Sequence, residues 1–110
     1  MITAITTFKL PQPITREEAR RIFLSTAPKY RGVPGLLRKV YVFSNDGATV
    51  GGVYLWNSRV EADAMYTDAW RVFVREKYGT EPTVTYFESP VVVDNVTGQI
   101  HSDEEIASPA

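Results

Sequence analysis

The amino-acid sequence predicts an α+β fold, with strands and helical segments in the order β-α-β-β-α-β. Three observations carry this expectation. Four runs read as strands: Ile2 to Leu10, Leu36 to Phe43, Thr49 to Trp56 and Thr83 to Glu88. Two Ser/Thr-x-x-Glu boxes, Thr15 to Glu18 and Ser58 to Glu61, each precede apolar residues at helical spacing. Asp46-Gly47 sits between the two middle strands, where it signals a hairpin.

Each element follows in order. Ile2 to Leu10 is threonine-rich and partly alternating, and Pro11-Gln12-Pro13 ends it. Thr15 caps a helix whose Ala19, Ile22, Phe23 and Thr26 form one buried stripe, and Pro28 is expected to end or kink it. Gly32-Val33-Pro34-Gly35 is a loop by composition. After the hairpin, Ala62, Met65, Tyr66, Ala69 and Phe73 share a helical face, with Thr67-Asp68 able to recap the chain and divide the segment. Gly79 is the natural stop. Thr83 to Glu88 forms the fourth strand, and Val91 to Val93 extend it beyond Pro90. Residues 1–96 make the folded domain, and the polar, acidic stretch 97–110 reads as a tail.

This order is the ferredoxin-like split unit: a four-stranded antiparallel sheet with its helices on one face. A two-residue Asp46-Gly47 turn sets Phe43 opposite Val50, Tyr41 opposite Gly52, Lys39 opposite Tyr54 and Leu37 opposite Trp56. One face then collects Leu37, Lys39, Tyr41, Phe43, Val50, Tyr54 and Trp56. The other collects Arg38, Val40, Val42, Val53 and Leu55. The aliphatic set suits packing beneath helices. The aromatic set is expected to be covered by a second copy, giving a homodimer joined through Tyr41, Phe43, Tyr54 and Trp56.

Composition narrows the function. The chain has 110 residues, 44% hydrophobic and 23% charged, with formal net charge -1. That balance lacks a nucleic-acid footprint. No apolar run approaches a membrane span, and MITAITTFKL lacks the marks of a signal peptide, so a cytoplasmic protein is expected. Without cysteine there is no disulfide or thiolate metal site. His101, the only histidine, lies in the acidic stretch and makes a poor metal site by itself. Phosphate-binding glycine loops and nucleophile-histidine arrangements are likewise missing.

Several motifs together resemble the YdhR-like monooxygenase family, within the dimeric α+β barrel group. They are Ala27-Pro28-Lys29-Tyr30, Val33-Pro34-Gly35-Leu36-Leu37-Arg38-Lys39, Gly51-Gly52-Val53-Tyr54-Leu55-Trp56, Tyr66 with Trp70, and Pro90-Val91-Val92-Val93-Asp94-Asn95. The resemblance covers about the first 95 residues. It implies a ferredoxin-like protomer, a homodimer with facing sheets, and oxygenation of a small aromatic or enolisable molecule without metal, haem, flavin or other cofactor. In that chemistry the deprotonated substrate itself reduces O₂, inside an apolar cavity between sheet and helices. Haem-degrading members of the barrel group carry a histidine in the second helix, which this chain lacks. The same scaffold also suits a non-catalytic ligand binder or a non-redox isomerase or dehydratase.

Candidate site residues follow from such a cavity. Arg38 is expected to hold a phenolate or enolate at the mouth, or else to be a surface arginine paired with an acid. Tyr30 and Tyr66 are candidate proton donors or hydrogen-bond partners for substrate oxygen. Trp70 and Tyr66, four apart, would wall a flat substrate with Phe23, and Val53 and Leu55 would line the sheet side. The alternative for the helix aromatics is plain core packing.

Overall fold

The sequence folds locally as its caps and breakers dictate. The computed structural model describes residues 1–103. Strand β1 spans Ile2–Lys9, and helix α1 spans Arg16–Tyr30. Thr15 Oγ1 accepts from the Glu18 amide at 3.1 Å, while Glu18 Oε1 accepts from the Thr15 amide at 2.9 Å, completing the box. Pro28 does not end α1, which runs two residues further to Tyr30. The proline cannot donate to the carbonyl of Leu24, but Leu24 is 60% exposed, so water can serve that carbonyl.

Strands β2 (Leu36–Phe43) and β3 (Thr49–Trp56) form the central hairpin. Their register pairs Phe43 with Val50, Tyr41 with Gly52 and Lys39 with Tyr54, as the turn demanded. The loop is longer than two residues: the Ser44 amide closes it on the Thr49 carbonyl at 2.9 Å, with Gly47 at φ +74°. A bulge at Leu37 breaks the register at its far end, so Leu36 and not Leu37 faces Trp56. Leu37 is left half exposed.

The second helical segment divides as Thr67 suggested, into α2 (Arg59–Met65) and α3 (Asp68–Tyr78). Thr67 Oγ1 caps α3 by accepting from the Trp70 amide at 3.2 Å. Gly79, at φ +75°, turns its amide to the Arg75 carbonyl. Strand β4 (Thr83–Glu88) completes an antiparallel sheet of order β2-β3-β1-β4, which is the ferredoxin-like arrangement. No described helix is long and apolar enough to cross a membrane.

Two expectations are corrected at the chain's end. Strand β5 (Val91–Asp94) does not extend β4; it pairs with β6 (Gln99–Ser102) in a separate two-stranded sheet. The supposed tail is therefore folded from Thr97 as far as Ser102, with Gly98 at φ +76° in its turn. Asp94 organises that turn, its Oδ1 accepting from the Val96 amide at 2.9 Å. The tail beyond Asp103 lies outside the described residues.

The larger correction concerns the sheet faces. The aromatic set lies under the helices: Val50, Tyr54 and Trp56 are almost wholly buried, beside Ala4, Thr6 and Phe8 of β1. The homodimer expected through Tyr41, Phe43, Tyr54 and Trp56 cannot use that face, because the chain's own helices cover it. The aliphatic set turns outward instead. Val40 is 51% exposed, and it continues a row with Val53, Ile5 and Thr85 across the open side. The physical reason is volume. Large rings fill the space between a sheet and short helices, and Ala4, Ala19, Ala62 and Gly52 leave them room.

Candidate functional site

On the helix side of the sheet, one row runs Lys39, Tyr54, Ala4 and Tyr86 across β2, β3, β1 and β4. Around it the rings form a continuous cluster. Tyr66 stands edge-on to Tyr54, Trp56, Trp70 and Tyr86, with centroids 5.0–6.0 Å apart. Tyr30 is edge-on to Tyr41 and Tyr54, and Phe23 stacks on Tyr41 at 4.6 Å. The polar edges are satisfied: Trp56 Nε1 donates to the Tyr66 hydroxyl at 3.0 Å, and Trp70 Nε1 donates to the Tyr30 hydroxyl at 3.1 Å. Thr26 Oγ1 and the Tyr41 hydroxyl share a hydrogen bond of 2.7 Å. Among the described residues, no buried side-chain nitrogen or oxygen lacks a hydrogen-bond partner.

The expected site residues thus separate into two groups. Phe23, Tyr30, Tyr66 and Trp70 come together on the helix side. Tyr66 and Trp70 are packed core, 9% and 3% exposed, rather than the walls of an open chamber. Val53 and Leu55 lie on the opposite face, with the sheet between them and that group; Arg38, on the edge strand β2, borders a helix-side cavity beside Tyr30 as well as a recess on the open side. Arg38 Nη2 meets Asp94 Oδ2 at 3.1 Å. Asp94 is held below the usual carboxylate range, first by the Val96 amide and also by Arg38. Arg38 and Asp94 share a recess with Asn57 and His101 between the open face and the β5–β6 hairpin.

The open space on the helix side is a groove between α1 and β2, which is the edge strand. One cavity of about 280 Å³ is lined by Ala27, Tyr30, Leu36, Lys39 and Tyr41, with Arg31 and Arg38 among its other borders. A neighbouring cavity of about 250 Å³ shares Tyr41 and adds Phe23, Leu24 and Phe43. Together they give a flat molecule an apolar, ring-lined seat.

Lys39 is the residue that sequence reasoning missed. Its ammonium nitrogen lies 3.3 Å from the ring centre of Tyr30, 3.9 Å from Tyr41 and 4.7 Å from Tyr54. Its stem crosses Gly52, where an added Cβ would lie 3.1 Å from Lys39 Cε and 3.1 Å from Tyr54 Cε1. Burial pushes the Lys39 amine down to about 7. The three ring faces act in the opposite sense and favour its charged form. Burial drives the tyrosines the other way: Tyr54, Tyr66 and Tyr41 are all raised, so their hydroxyls stay protonated near neutral pH. Neutral phenols of this kind are poor bases. The signal for Lys39 was present in its register position opposite Tyr54, on a face otherwise aromatic. Among the described residues, no three His, Cys, Asp or Glu side chains stand together as metal ligands.

Comparison with known proteins adds the fold's relatives. No family model matches the chain, and no curated protein matches its sequence. Solved structures do match. An antibiotic biosynthesis monooxygenase superposes with a TM-score of 0.62 at 16% identity, covering 81% of this chain and 98% of that one. The chain has the fold of the antibiotic biosynthesis monooxygenases. A monooxygenase from the gene ActVA-Orf6 of Streptomyces coelicolor, in complex with nanaomycin D, matches that fold with a TM-score of 0.58 at 24% identity, covering 80% of this chain and 86% of that one. SnoaB, a cofactor-independent oxygenase from Streptomyces nogalater, matches with a TM-score of 0.59 at 14% identity, covering 80% and 91%.

Proposed function

We propose that the chain is a monooxygenase that oxidises a small aromatic or enolisable molecule with O₂, without a cofactor, in the groove between α1 and β2. The observation that carries this reading is the ring-lined cavity beside Lys39, on a fold shared with proteins described as monooxygenases. One of those holds nanaomycin D, and another is described as a cofactor-independent oxygenase. The motifs at Ala27 to Lys39 and Gly51 to Trp56 support its YdhR-like branch.

The chemistry balances with O₂ as the only oxidant. Loss of a proton from a CH₂ beside a carbonyl gives an electron-rich enolate. The enolate passes an electron to O₂, and the two radicals join as a carbon-bound peroxide. Loss of water from the peroxide leaves a new carbonyl, so one oxygen atom enters the product and the other leaves as water. The protein's part is to exclude water, hold the ring system and favour the anion. Tyr30, whose hydroxyl accepts from Trp70, keeps its own proton for an oxyanion in the cavity.

The working unit in this reading is a homodimer joined through the outward sheet face. Val40, Val42, Leu37 and Phe87 are 36–54% exposed there. A sheet face that apolar calls for cover, and a second copy supplies it by two-fold symmetry.

The test is oxygen uptake with a panel of anthrones and polyphenols in metal-free buffer. Uptake above the spontaneous rate, with carbonyl product, supports the reading. No uptake across the panel, or equal conversion under nitrogen, overturns it; the second outcome would identify an isomerase or dehydratase.

A further inference from the structure

The proton that starts the reaction needs an acceptor, and the groove offers few. Tyr41 and Tyr54 are raised by burial and stay protonated. Arg31 and Arg38, which border the same cavity, are guanidinium groups and remain charged. The described residues show no carboxylate in an ion pair with Lys39 (the four ion pairs involve Met1, Arg38, Arg59 and Arg75).

Resting on the proposed function, we infer that Lys39 is the general base, because its nitrogen is enclosed by the rings of Tyr30, Tyr41 and Tyr54 on the wall of the substrate cavity and has no acidic partner among the described residues. Its setting differs from that of the other lysines over rings. Lys29 and Lys77 are exposed and share the single ring of Phe73. The cage suits the step. The neutral amine takes the substrate proton: the C–H bond breaks, an N–H bond forms, and the electron pair moves to the carbonyl oxygen. The resulting ammonium is held by three ring faces and lies beside the new anion, where exclusion of water strengthens their attraction. Burial brings the amine to about 7, so a useful fraction is neutral at physiological pH. Gly52 positions the base by leaving its stem a path.

The experiment separates this inference from the oxygenase reading. Deuterium exchange at the CH₂ of anthrone is followed in D₂O under nitrogen, beside oxygen uptake in air. Wild type should catalyse both. Lys39→Met, and Lys39→Arg, which keeps a cation but no base, should each lose about 10²-fold or more in exchange rate. Small primary amines should restore exchange to Lys39→Ala. Exchange without oxygen uptake keeps Lys39 as base and overturns the oxygenase reading. Uptake and exchange within tenfold of wild type in Lys39→Met overturn Lys39 and keep the oxygenase. In the unaltered chain, the Lys39 Nζ resonance should titrate near neutral pH and move when anthrone is added under nitrogen. Titration above pH 10 overturns the inference even if the variants fail to fold.

Discussion

Replacing Lys39 with methionine should stabilise the fold, and by an amount that depends on pH. The free lysine value is 10.5, and burial lowers it to about 7 in the folded chain. The unfolded chain therefore binds the proton more tightly than the folded one. The penalty is complete below about pH 7, shrinks as pH rises, and vanishes above about 10.5. One pKa unit corresponds to about 1.4 kcal/mol, so the wild type should gain roughly 2 kcal/mol of stability between pH 7 and pH 9, after a discount for residual solvent contact. Methionine fills the same cage without a charge and carries no such slope. Urea unfolding of both proteins at pH 6, 7, 8 and 9 measures the difference. Lys39→Met should be the more stable by a few kcal/mol at pH 6, with its advantage falling steadily by pH 9. A difference that is constant across this range would refute the burial argument.

Other changes test the packing around the site. Tyr66→Phe removes the hydroxyl that accepts from Trp56 and leaves a buried indole N–H without a partner; it should cost about 1–3 kcal/mol in urea unfolding. Gly52→Ala places a methyl 3.1 Å from Lys39 Cε, so it should cost about 1–3 kcal/mol and shift the Lys39 Nζ resonance. Thr15→Ala should lower stability by about 1 kcal/mol without touching the groove, which a normal ligand-binding titration would check. Val40→Glu, on the outward face, should convert the proposed dimer to a monomer in solution mass measurements while leaving the helical circular dichroism unchanged.

The order of elements was legible because local chemistry decides it. Thr15, Thr67, Gly47 and Gly79 each satisfy or release particular backbone groups, and they do so where the sequence indicated. The hairpin register was legible for the same reason, except at Leu37, where the bulge depends on pairing rather than on residue type. Which face meets the helices was not legible from the hairpin alone, since alternation defines two faces without saying which is inside. The decision rests on complementarity with distant elements. Tyr66, at the end of α2, supplies the hydroxyl that Trp56 needs, and Trp70 of α3 finds Tyr30 of α1. Those pairings are forty or fewer residues apart in sequence but are set by tertiary packing. The inverted faces carried Val53 and Leu55 to the side away from the helices, and they hid Lys39, which the same reading set on the face assigned to the dimer interface. Asp94 organises the turn between β5 and β6, whereas composition alone presented β5 as an extension of β4 and β6 as part of a polar tail.

The most direct measurement of the central claim is a reaction of the protein with anthrone under ¹⁸O₂, followed by mass spectrometry of the product. The account predicts one ¹⁸O atom in the new carbonyl and the other in water, in an amount that follows protein concentration. A product without ¹⁸O, or labelling equal to that of the spontaneous reaction, would contradict it.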